Sequence, residues 1–223
     1  MAYRRTATAA VLPLGDELTR ALAGIGISLA SKAAADPNIE DTLLAAAVEG
    51  MEHDDLRVLA LLTTWLSVHA TWVNVDRLTR AVAAHESLRV RAFWSAVARW
   101  LHKDRRFARL ARLYRGPRVD LLRVGTDFQV KRRGEDERFT STCLRVPAGV
   151  LRDRKHDVLA PPELVRRHRG YRQRVLMGPS YRADMWAALD ANPALSAAEL
   201  ARQTYGSFAT AWQVKNDYRL LAA

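Results

Sequence analysis

The chain has 223 residues, of which 49% are hydrophobic and 26% charged, and carries a formal net charge of +11. That composition supports one large or two modest globular domains and excludes a disordered tail. A single cysteine, Cys143, excludes an intramolecular disulfide framework and fits a reducing compartment, and no window approaches the roughly 18 unbroken apolar residues of a membrane span.

The opening MAYRRTATAAVLPLG is too short for a secretory h-region, so a cytoplasmic, nucleoid-associated protein is expected. From Leu14 to Glu86, eleven acids face five bases, a net of −6 that leaves +17 for the remainder. Helix signals recur through this acidic part. The spacing predicts helices from Asp16 to about Ala35, from the cap and first-turn proline Asp36-Pro37 to about Met51, and from Asp54 to about Trp72. Asn74 is the expected cap for Val75 to Glu86, Ser87 for Leu88 to Lys103, and Asp104 for Arg105 to Tyr114. Short turns between these helices imply a right-angled or bundle-like helical domain over residues 1–116. Trp65, Trp72, Trp94 and Trp100 stand at helical spacing and are assigned to its core. His53, His69, His85 and His102 recur at near-equal intervals but fall near different helix ends, so no metal and no cofactor is expected.

After Gly116-Pro117 the residues favour strands: Val119 to Val124, Asp127 to Arg132 and Arg138 to Val146, with Gly134 to Glu137 as a hairpin loop. A small antiparallel sheet is expected over 117–160. Pro161-Pro162 then starts a basic helix, Glu163 to about Met177, stopped by Gly178-Pro179. The fold class is thus mainly α with a small β element, and residues 161–223 form the third unit.

The last 28 residues carry the most specific pattern. Ser180 caps a helix over Tyr181 to Ala191, closed by Asn192-Pro193, with Met185, Trp186 and Leu189 directed to a small core. Ser196 and Glu199 make a capping box, Leu200-Ala201 an apolar and small pair, Gly206 a turn, and Ser207 a second cap. Phe208, Ala211 and Val214 are expected to face inward, which leaves Thr210, Gln213, Lys215, Asn216 and Arg219 outside. The last helix runs to the end of the sequence, so a three-helical unit without a wing is expected.

SAAELARQTYGSFATAWQVKNDY resembles the helix-turn-helix of bacterial transcriptional regulators over about a tenth of the chain, with a turn that is shifted or one residue longer than usual. The resemblance implies duplex DNA as partner and two-fold pairing into a homodimer. On it, Thr210, Gln213, Lys215 and Asn216 would approach bases, while Arg166, Arg167, Arg169, Arg172, Arg174, Arg202, Ser207 and Arg219 would hold the backbone. The arrangement is also similar, more loosely, to AbiEi-type antitoxins, which repress their own operon, although those place the DNA-reading domain at the other end. That likeness suggests a protein partner for the acidic helices.

An enzymatic alternative stands beside this one. Asp120 or Asp127 with Gln129-Val130-Lys131 resembles part of a restriction-type nuclease motif, which needs its metal ligands and lysine on a β-hairpin. RNA binding and a protein-interaction adaptor are the remaining alternatives. No catalytic residue is assigned on the DNA-binding expectation.

Overall fold

The computed structural model describes residues 11–222; the first ten residues and Ala223 lie outside it. Among the described residues the chain is mainly helical, with eleven α-helices and one two-stranded ladder. No helix is long and apolar enough to cross a membrane.

The helices of the first half are α1 (Gly15–Gly24), α2 (Ile39–Glu52), α3 (Leu56–His69), α4 (Val75–Ala84) and α5 (Leu88–Trp100). Asn74 and Ser87 cap α4 and α5 as their sequence positions predict, each side-chain oxygen accepting an N–H from the first turn. Other boundaries differ. α1 ends at Gly24 because the chain folds back there: a Cβ at Gly24 would stand 2.6 Å from the Pro37 ring. Asn38, rather than Asp36, caps α2, and α3 begins at Leu56 with Asp55 as its cap rather than at Asp54. Arg105 to Arg112 forms two 3-10 turns instead of an α-helix.

The middle of the chain departs most from expectation. Strand β1 (Val119–Asp120) pairs with β2 (Leu144–Arg145) in parallel, not antiparallel, and each strand is only two residues long. Asp127 to Arg132, expected as a strand, lies within helix α6 (Thr126–Arg133) on the crossover that parallel pairing requires. Gly125 and Gly134, at φ of 83° and 78°, delimit it, and its basic last turn suits the negative end of a helix. The alternating Phe128 and Val130 mimicked a strand, yet Phe128 is exposed, so no buried face existed to hold one.

The expected single helix after Pro161 is two: α7 (Pro161–Arg167) and α8 (Arg169–Met177), broken at His168. His168 Nδ1 accepts the Tyr171 N–H, so its side chain caps α8, and Nε2–H donates to Pro37 O. Three more helices follow, α9 (Tyr181–Ala191), α10 (Ala197–Gln203) and α11 (Phe208–Ala222).

One hydrophobic core runs from Leu18 to Tyr171, including Trp65, Trp94 and, from the middle of the chain, Leu121, Phe139, Leu144 and Leu164. Trp72, Trp100 and Cys143 pack against it part-buried. A second, small core joins Met185, Leu189, Leu200, Ala211 and Val214 of the last three helices with Leu195 of the α9–α10 connection.

Candidate nucleic-acid interface

Helix α8 looks two ways. Its outward residues Arg169 and Arg172, with Arg166 and Arg167 of α7, line a groove closed by Ala35, Asp36 and Val165. Through Ala35, Asp36 and Arg169 this groove continues into a second cleft that reaches Gln203 of α10 and Thr204 just after it. Arg169 is tied to Asp36 at 2.6 Å, whereas Arg166, Arg167 and Arg172 are exposed.

The inward arginine of α8 is Arg174, expected at a phosphate and found in the interior at 1% exposure. Its guanidinium donates to both oxygens of Glu40 at 2.7 and 2.8 Å, to Asp184 Oδ1 at 2.8 Å and to Trp72 O at 3.1 Å. Burial opposes its charge, but the two carboxylates outweigh that and hold its pKa above the usual arginine value. The same balance favours ionised Glu40: burial resists the charge, and Arg174, Arg77 and the Asn74 N–H overcome it.

Glu40 belongs to α2 and Asp184 to α9, so Arg174 ties the last three helices to the large core. A second strand of the network runs alongside. Arg77 donates to Asp41 at 2.9 Å and stacks its guanidinium 3.8 Å from the Tyr205 ring centroid. Tyr205 O–H in turn donates to Asp41 at 3.4 Å, and Tyr181 O–H donates to Asp76 at 3.1 Å.

In the turn that Gly206 marks, it is Tyr205 that holds a left-handed φ, at 57°. Gly206 serves another purpose. A Cβ there would collide with Met185 Cε in the small core, so glycine allows the α10–α11 turn to sit on α9. The Ser196 and Glu199 capping box forms as predicted, and Ser207 Oγ accepts the Thr210 N–H at 3.1 Å. α10 packs against α11 and both against α9.

The outer face of α11 differs from expectation. Ala211 and Val214 are buried, but Phe208 is 55% exposed. At about 100° per residue Phe208 lies about 60° from Ala211 and farther from Val214, off the inward line. Thr210 pairs with the Ser207 hydroxyl at 2.6 Å, and Lys215 Nζ donates to Leu195 O, so neither side chain extends outward freely. Gln213, Arg219 and, on α10, Arg202 are exposed, and Asn216 is half-buried. Exposed Trp212 joins this face, missed from sequence because tryptophan at helical spacing reads as core.

The nuclease-like residues are not on a hairpin. Arg145 bridges Asp120 and Asp127 at 2.8 and 2.6 Å, and Gln129 and Lys131 lie on α6. Among the described residues no group of three or more His, Cys, Asp or Glu side chains could hold a metal ion.

The charge segregation along the sequence is partly cancelled in space. Acids of the segment from Leu14 to Glu86 pair with bases that follow it: Asp36 with Arg169, Glu40 with Arg174, Asp54 with Arg123, Asp76 with Arg109. The acidic helices therefore spend several of their carboxylates inside this chain.

The chain matches no protein-family model, no curated protein and no solved structure.

Proposed function

We propose that the protein binds duplex DNA sequence-specifically, with α10 and α11 acting as a helix-turn-helix, and that it works as a transcriptional regulator or antitoxin-like autorepressor. The observation that carries this proposal is the fixed placement of the exposed Arg166, Arg167 and Arg172 beside the helical tail, their groove continuing to the end of α10. Residues 181–223 hold four bases and four acids, so the tail alone has no net attraction for phosphate. The arginines of α7 and α8 supply it, and phosphate neutralisation is the main source of non-specific affinity.

In this reading α11 enters the major groove and Gln213 and Asn216 approach base edges. Arg202, Arg219 and the α7–α8 arginines hold the backbone, with Ser207 serving as the cap of α11. Pairing into a homodimer would double the short half-site that one such unit reads. The protein would then operate at the nucleoid.

Fluorescence anisotropy of a labelled mixed-sequence duplex across a salt series tests the proposal. Binding should weaken steeply as salt rises, and an RNA duplex of the same sequence should compete less well. Absence of retention at low salt, up to tens of micromolar protein, would overturn it.

A further inference from the structure

We infer that the base-facing surface of α11 is built for A·T pairs, an inference that rests on the duplex-binding role proposed above and names the sequences such a role selects. Over its first three turns the outward arc of α11 carries Phe208, Ala209, Trp212, Gln213 and Asn216. Helix geometry at about 100° per residue places all five within roughly 140°. The N-terminal part of a recognition helix is the part that reaches base edges.

This arc offers two amides and an apolar strip, and no cation. Lys215, the one lysine of α11, is turned back to the Leu195 carbonyl, and Arg219 stands a further turn along. Neither Gln213 nor Asn216 has a side-chain hydrogen-bond partner among the described residues, so both amides are available. In the major groove guanine offers two acceptors, N7 and O6, and is read by Arg or Lys. Adenine offers an acceptor and a donor, N7 and N6, which a Gln or Asn amide matches with both of its ends. The thymine methyl takes apolar contact. Phe208 and Trp212, at 55% and 58% exposure, stand one turn apart as a continuous apolar strip beside the amides. Amides for adenine, apolar surface for the thymine methyl and no arginine or lysine for guanine together select A·T.

The test uses short duplexes with identical flanks and a central block of A·T, G·C or inosine·cytosine pairs. Inosine·cytosine presents the major-groove edge of G·C and the minor-groove edge of A·T. The A·T block should bind at least about tenfold more tightly than the G·C block, and inosine·cytosine should bind as weakly as G·C. Uracil in place of thymine should weaken the A·T complex. Gln213→Ala should remove most of the preference without changing the salt dependence.

Equal binding of the A·T and G·C blocks would overturn the inference while leaving duplex binding intact. So would inosine·cytosine behaving like A·T, since the preference would then come from the minor groove or from duplex shape. If Trp212→Ala split a dimer in sedimentation and left the base preference untouched, the strip would be a contact between copies and the inference would fall. Failure to bind any duplex at any salt would sink the proposed role itself, and with it the inference.

Discussion

Arg174 of α8 grips Glu40 of α2 through two parallel hydrogen bonds of 2.7 and 2.8 Å, across 134 positions of sequence and with both side chains out of water. The same guanidinium reaches Asp184 of α9, so one residue sets the last three helices against the body of the protein. A helix that presents arginines outward is thereby indexed to the tail by an arginine that points inward.

Removing Arg174 should be costly. Arg174→Met leaves Asp184 and Glu40 in the interior without Arg174, only Arg77 remaining near Glu40 at 3.9 Å, and a loss of about 3–5 kcal/mol is expected. Arg174→Lys should recover only part of it, because a point charge cannot serve three oxygens in a planar fork. Denaturant unfolding monitored by tryptophan fluorescence measures both. A loss below about 1 kcal/mol for the methionine variant would show that the network adds little.

Acid should act through His69. The Leu159 carbonyl can only accept, so His69 Nε2 carries the proton and Nδ1 accepts from Tyr171 O–H at 2.8 Å. Burial lowers the His69 pKa from 6.5 to about 4. The folded state therefore favours neutral imidazole. Its stabilising contribution is complete above the unfolded pKa of 6.5 and is lost as pH falls toward 4, by an amount on the order of 3 kcal/mol. His69→Gln should flatten the fall in unfolding free energy across that window. Equal slopes for the two proteins would contradict the assignment. Glu40, whose pKa is held below its ordinary value of 4.5, adds a separate loss at lower pH.

Gly50→Ala pits propensity against packing. Alanine within a helix gains roughly 1 kcal/mol over glycine. In α2, however, the new methyl would overlap Leu59 of α3, a branched side chain buried in the core. Overpacking of this kind costs about 1–3 kcal/mol, so the sign should be destabilising. A rise in melting temperature would mean that α2 and α3 separate more readily than their packing implies.

The arginine groove should act by charge alone. Arg166→Ala, Arg167→Ala and Arg172→Ala should each weaken binding to every duplex alike and reduce the slope of log affinity against log salt by about 0.9. The Arg169→Ala slope should change less, since Asp36 already neutralises that side chain. Anisotropy titrations at four salt concentrations resolve such slopes. Altered base preference in the Arg172 variant would place that residue at a base edge rather than a phosphate.

What the sequence determined by itself is the local grammar. Asn74, Ser87, Ser180 and Ser196 each cap the helix they precede, because a cap needs only an oxygen and an N–H two or three residues on. The helix of residues 181–191 and the Glu199 capping box were legible for the same reason. Tertiary structure decided the rest. Phe128 and Val130 alternate like strand residues, but no sheet face was present to bury them, and the segment became α6 between two glycines. Arg174 and Lys215 looked like phosphate and base contacts until Glu40 and Leu195, far off in the chain, claimed them. Asp36 and Glu40 of the acidic run pair with Arg169 and Arg174 of the basic one, since Coulomb attraction acts across space while sequence shows only order along the chain.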